Sequence, residues 1–246
     1  MCNVCGDPQH ELEVTRRDFL RSGALATLAP WTIGGAFAAA PPAPGAAPPQ
    51  NAIAPADALK RIMEGNARYA ANTPNERDFS VERAARAQGQ YPIAAILSCA
   101  DSRVSPELAF DQAPGDLFVV RVAGNVVNND LLASIEYGLQ FLGAPLIVVL
   151  GHSSCGAVDA AIKVVKDKAV LPGHLPELIS ALKPSVEIAR TEKSGELLEN
   201  ATRENVKRQV ARLKNSPPIV QKLYAGKKID IAGGVYDIAT GKVTLV

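Results

Sequence analysis

Two short segments carry residue types that can hold a metal: Cys99-Ala100-Asp101-Ser102-Arg103 and His152-Ser153-Ser154-Cys155-Gly156. Together they offer two sulfurs and an imidazole to one ion, with a carboxylate and a guanidinium just after the first cysteine. Zinc suits that donor set, since it takes tetrahedral N/S sites and has no redox chemistry of its own. Three protein ligands leave a fourth corner for water, as catalytic zinc sites do. Two thiolates cancel the charge of the ion, so water bound there is acidified less than by three neutral histidines, and neighbouring groups must compensate. Asp101 is the candidate acceptor for the hydrogen bond of a metal-bound hydroxide, and Arg103 is the partner that keeps Asp101 ionised. The plainer reading is that the two brace the turn, although an exposed ion pair contributes little.

The same two cysteines could instead form a disulfide, because the chain opens with an export pattern and exported proteins meet oxidising conditions. Thr15-Arg16-Arg17-Asp18-Phe19-Leu20-Arg21 is a twin-arginine pattern, followed by an apolar Ala- and Gly-rich run and by Ala36-Phe37-Ala38, an A-x-A cleavage signal. Pro30 and Gly34-Gly35 interrupt that run, and it lacks the Leu and Ile density of a spanning helix. Residues 1–38 therefore read as a cleaved twin-arginine signal peptide, and 39–55, rich in Pro and Ala, as an extended linker. The location expected is periplasmic or secreted, with no stable membrane span after cleavage. The twin-arginine route carries folded proteins, so a metal can be inserted where thiols are still reduced. A staple would also need neither the histidine before Cys155 nor the Asp and Arg after Cys99, and metal ligation is the expectation. Cys2 and Cys5, a C-x-x-C near His10, lie ahead of the twin arginines and are expected to leave with the signal.

What must position the ligands is the remainder, residues 56–246. With a hydrophobic content of 47% the 246-residue chain has ample material for a core, and a net charge of +1 gives no ground for nucleic acid or an acidic membrane surface as partner. Helix spacing covers 56–71, and Asn72 to Pro74 stop it. Apolar runs without alternation at 93–98, 117–122 and 146–150 read as strands covered on both faces. Helices are expected at 131–142, 157–166, 176–189 and 195–213, and two closing strands at 229–238 and 243–246, joined by a turn at Thr240-Gly241. Strands alternating with helices predict an α/β fold with a mostly parallel central sheet flanked by helices. On that map Cys99 ends the first strand and His152 the third, so both ligand turns sit at the carboxyl edge, where open α/β sheets place ligands. A nucleophile elbow at Ser153 fails, since G-x-S-x-G requires glycine where Cys155 stands.

The paired motifs C-x-D-S-R and H-x-x-C resemble those of the β-class carbonic anhydrases. The similarity runs from Glu64-Gly65-Asn66-Ala67-Arg68-Tyr69 through Gly115-Asp116-Leu117-Phe118-Val119-Val120-Arg121 to Ile135-Glu136-Tyr137, and weakly to the last strand. It implies zinc on Cys99, His152 and Cys155, with Asp101 and Arg103 as the dyad that orients the water. It also implies attack of zinc-bound hydroxide on carbon dioxide to give bicarbonate and a proton. In some relatives the aspartate swings onto the metal as a fourth ligand and closes the site, so Asp101 is a candidate ligand as well; a permanently closed site would be a scaffold. Gln90, nine residues before Cys99, matches the substrate-binding glutamine of the plant-like subgroup, and Ile96 stands where the bicarbonate-inhibited subgroup has tryptophan, which favours an open site. Phe118, Tyr137 and Gly156 are the implied substrate-pocket residues. Phe118 and Tyr137 would serve equally as ordinary core. The stretch Val122-Ala123-Gly124-Asn125 departs from the Asn-Val/Ala-Ala-Asn run of many relatives. The resemblance further implies a homodimer, or a higher even oligomer, whose pocket is partly completed by the partner chain. Some relatives hydrolyse carbon disulfide or carbonyl sulfide at such a site. His174, in a Pro-Gly-His-Leu-Pro loop, reads as a surface residue, and no proton carrier stands out.

Overall fold

The computed structural model describes residues 50–87 and 89–246. Residues 1–38, read above as a signal peptide, with Cys2 and Cys5 among them, and residues 39–49 of the expected linker lie outside the described residues. In chain order the elements are α1 (Pro55–Ala70), α2 (Phe79–Arg86), β1 (Ala94–Ser98), α3 (Pro106–Ala109), β2 (Leu117–Arg121), a 3-10 turn (Ala123–Asn125), α4 (Asn129–Gln140), β3 (Leu146–His152), α5 (Gly156–Asp167), α6 (Leu175–Ser180), α7 (Lys183–Ala189), α8 (Leu197–Lys214), α9 (Ile219–Ala225), β4 (Asp230–Tyr236) and β5 (Val243–Leu245).

The five strands form one sheet in the order β2-β1-β3-β4-β5, parallel except for β5, which returns antiparallel along β4. Every residue of β1 and β3 is buried, as their unbroken apolar runs predict for strands covered on both faces. Successive side chains take opposite sides. Ala94, Ile96, Val148 and Leu150 pack with Ala58 and Ile62 of α1, while Ala95, Leu97, Ile147 and Val149 pack with Ile135 of α4 and with Val206 and Leu213 of α8. Cys99, Cys155 and Val158 lie in a third apolar cluster built on α5, α6 and α7. Among the described residues no helix is long and apolar enough to cross a membrane.

Several boundaries and elements differ from the sequence reading. The helix expected over 176–189 is two, because Pro184 lacks the N–H that an inner turn needs and instead starts α7. Helices α2, α3 and α9 were not anticipated; they are short, at 8, 4 and 7 residues, and helical periodicity needs a longer window. Strand β3 runs to His152, not Leu150, since Gly151 and His152 stay paired with Val235 and Tyr236. Residues 50–54, read as linker, are tied to the body: Gln50 Nε2 donates to the Tyr91 carbonyl at 2.7 Å and Asn51 Nδ2 to the Leu142 carbonyl at 2.6 Å. The Asn66 side chain joins three elements, donating to the carbonyls of Ala109 and Gly241 and accepting from the Val243 amide, each at 2.8 Å.

Candidate metal centre

β1 and β3 are adjacent and in register, with Ser98 opposite Leu150. β1 connects outward to β2 on one side while β3 lies on the other, so the crevice between them is the topological switch point of the sheet. Cys99 is the first residue past β1 and His152 the last of β3. Ser154, at φ 55, turns the chain back so that Cys155 stands at the N-cap of α5. These local turns bring Cys99 Sγ, Cys155 Sγ and a His152 ring nitrogen within 4.8 Å of one another, all buried.

His152 is 0% exposed and its Nδ1 donates to the Ser153 carbonyl at 2.9 Å. That bond puts the proton on Nδ1 and leaves Nε2 with a free lone pair; Nε2 is buried and has no hydrogen-bond partner. A buried, unpartnered acceptor is costly unless something else takes it. Both cysteines are free thiols, so the disulfide reading does not hold here. Zinc bonds of about 2.0–2.3 Å would set such donors about 3.5–3.8 Å apart, and the cluster needs only a small contraction to reach that. The residues present therefore fit a zinc ion.

The electrostatics point the same way. Cys155, through the hydrogen bond between the two sulfurs, draws Cys99 well below the usual thiol value, while that same bond and burial push Cys155 up. Burial opposes a charge on His152, yet Cys99 and Asp101 outweigh it and raise its proton affinity. The cluster thus attracts a cation.

Asp101 stands beside this cluster, with Oδ2 3.8 Å from His152 Nε2. Its oxygens are engaged by Arg103, whose Nε donates to Oδ1 at 2.9 Å, Nη2 to Oδ2 at 2.7 Å and backbone amide to Oδ1 at 2.9 Å. Arg103 holds the carboxyl below the ordinary carboxylate range, so it stays ionised and acceptor-only. Arg121, at the end of β2, was not singled out from sequence; it grips the ligand loop by donating to the carbonyls of Cys99, Asp101 and Val104. A lone cation closing an apolar strand was its signal.

The remaining expected residues are spread out. Gly156 opens α5 beside Cys155, and a Cβ there would meet nothing within 4 Å, so that side of the cluster faces open space. Gln90 is exposed on the segment entering β1. Phe118 lies opposite Ala95, four residues down the strand from Cys99, or roughly 13 Å at strand rise. Its ring stacks 6.3 Å from that of Tyr137, which is half-exposed and 5.2 Å from Phe141. Within one chain these aromatics do not meet the Cys-His-Cys cluster. His174 is exposed, as expected.

The family model described as carbonic anhydrase matches residues 94–243, which span the Cys99 and His152-to-Cys155 turns, β1 to β4 and the first residue of β5. Carbonic anhydrase 2 of Mycobacterium tuberculosis is 41% identical over 192 residues, covering 78% of this chain and 92% of that protein. The carbonic anhydrase of Mycolicibacterium smegmatis is 41% identical over 194 residues, covering 78% and 93%. The solved β-carbonic anhydrase CcaA superposes with a TM-score of 0.60 at 31% identity, covering 76% of this chain and 94% of that one. This chain belongs to the β-class of carbonic anhydrases. A Coccomyxa β-carbonic anhydrase solved in complex with acetazolamide gives a TM-score of 0.61 at 30% identity, covering 76% and 86%. In this carbonic anhydrase the Cys-His-Cys group at the sheet's switch point is a group that could hold a metal ion.

Proposed function

We propose that the chain binds one zinc per protomer through Cys99, His152 and Cys155 and hydrates carbon dioxide reversibly to bicarbonate and a proton. The observation that carries this reading is the free Nε2 of buried His152, set among two free sulfurs with an ionised carboxylate alongside. Zinc, when bound, supplies Lewis acidity that makes a water a nucleophile near neutral pH. Asp101 accepts a hydrogen bond from that nucleophile and so fixes the direction of its lone pair. Arg103, by occupying both carboxylate oxygens, keeps Asp101 from taking a proton and from leaving its place. Gly156 leaves room beside Cys155 for a small linear substrate.

Gln90, Phe118 and Tyr137 of the partner subunit complete the pocket in a homodimer; the exposure of Gln90 and Tyr137, and the place of Phe118 four residues down the sheet from Cys99, support this placement. Gln90 and Ile96 favour the plant-like subgroup, with Asp101 paired to Arg103 and off the metal. Export by the twin-arginine signal puts the enzyme in the periplasm or outside the cell, which fractionation and N-terminal mass spectrometry check.

Zinc content and stopped-flow carbon dioxide hydration of wild type, Asp101→Ala and Cys99→Ser test the reading. One zinc per chain and turnover in wild type, full zinc with lost turnover in Asp101→Ala, and lost zinc in Cys99→Ser are expected. Metal-free wild type that still hydrates carbon dioxide would overturn it.

A further inference from the structure

At the turn Ala123–Asn125 a backbone amide reaches Cys99, a ligand in the proposed function. The Gly124 N–H donates to Cys99 Sγ at 3.3 Å. Gly124 has φ 75 and ψ 14, a left-handed conformation that favours glycine, and a Cβ there would lie 2.8 Å from Leu182 Cδ1, so that leucine would have to shift.

The other side of Gly124 is held from 81 positions away, by α8. Asn205 Nδ2 donates to the Gly124 carbonyl at 2.8 Å. Gln209 Nε2 donates to Asn205 Oδ1 at 3.1 Å, and Gln209 Oε1 accepts from the Val127 amide at 3.0 Å. Both amides are almost fully buried, at 1% and 5% exposure. These two buried amides, hydrogen-bonded to each other and to the backbone at Gly124 and Val127, form a polar chain leading from α8 to the sulfur.

We propose that Asn205 and Gln209 are positioning residues of the metal centre, holding Gly124 so that its N–H stays on the Cys99 sulfur. An N–H donor withdraws electron density from a metal thiolate, and partners behind first ligands orient them and tune the metal. This offsets part of the charge that two thiolates place on the ion. The inference rests on Cys99 being a zinc ligand.

The test uses the purified protein loaded with cobalt(II), whose thiolate charge-transfer absorption reports the electron density on sulfur, and zinc retention against a chelator. In Asn205→Leu and Gln209→Leu the cobalt band moves to lower energy and zinc affinity drops by about tenfold, a typical loss for such partners. Loss of helix packing alone would not move the band, so an unchanged band in either folded variant overturns the proposal. If both variants fail to fold, the wild type loaded with cadmium-113 decides: scalar coupling between the Gly124 amide proton and the metal supports it, and its absence overturns it. A wild type that takes up neither zinc nor cobalt refutes the metal-centre reading itself, and this inference with it. Uptake by wild type with no change in the variants refutes the inference alone.

Discussion

Arg121 Nε lies 2.9 Å from the Cys99 carbonyl, and its Nη2 reaches the carbonyls of Asp101 and Val104 at 2.7 and 2.8 Å. One guanidinium at the end of β2 thus sets the path of the loop that carries a ligand and the dyad. Arg121→Leu leaves these carbonyls without their donor and is expected to cost about 2–3 kcal/mol in urea unfolding, with weaker zinc retention. Arg121→Lys keeps the charge but not the planar fork, and should recover less than half of that. Stability within about 0.5 kcal/mol of wild type for the leucine variant would show that the loop holds its own shape.

Arg103 pairs with Asp101 through a side chain that is 52% exposed, against 17% for the carboxylate. An ion pair so placed adds little to stability, so Arg103→Leu should leave unfolding close to that of wild type. Its effect belongs to turnover: without the two side-chain bonds, Asp101 is free to rotate and to take a proton. Hydration is expected to fall by about 10²-fold at unchanged zinc content. A variant as fast as wild type would reduce the pair to a brace for the turn.

The clustering of Cys99, His152 and Cys155 was legible because both motifs are local: each places its residues within five positions, at the ends of strands whose apolar runs are unmistakable. The groups behind the ligands were not, for a physical reason. Gly124 meets Cys99 across 25 positions and Asn205 meets Gly124 across 81, contacts made by sheet order and by helix α8 crossing β3. The period of α8, with Ala201, Val206 and Leu213 on its buried face, puts Asn205 on that face too but does not say which group it meets. The strands and long helices likewise followed from periodicity, whereas α2 is marked only by its cap, where Asp78 accepts from the Ser80 and Val81 amides. The break between α6 and α7 was written in Pro184 and was overlooked because the apolar spacing runs through it.

Metal removal exposes the second chemistry open to the two cysteines. Their sulfurs are buried and within 4.8 Å, close enough to be joined after a small shift. Chelator-treated protein exposed to a mild oxidant should lose two hydrogens by mass spectrometry as Cys99 and Cys155 cross-link, and zinc should then fail to rebind until a thiol reductant is added. Zinc-loaded protein should resist, and should melt at a higher temperature that rises with free zinc. Equal oxidation of both forms would mean that the metal does not sit on these sulfurs.

Acid sensitivity provides a test away from the metal. Asp111 is buried, with its side chain 2% exposed, and accepts from Arg68 Nε at 2.6 Å, Arg77 Nη2 at 3.1 Å and the Asn75 amide at 3.2 Å. Burial pushes this carboxyl up, but Arg68, Asn75 and Arg77 outweigh it and the net shift is downward. A carboxyl lowered by folding contributes stability above its unfolded value, about 3.9, and loses it as pH falls through the lower folded value. Asp111→Asn removes the charge while tolerating the φ of 47 that this residue adopts. At pH 7 the variant should be less stable by about 3 kcal/mol, the scale for breaking one side of a buried ion pair. Below about pH 4 the gap should narrow, because the unfolded wild type then takes up a proton that the folded carboxyl does not take until the pH is lower still. Urea unfolding of both chelated proteins at pH 7 and pH 3 measures this, and a gap independent of pH would mean that Asp111 contributes through hydrogen bonds that asparagine cannot replace rather than through its charge.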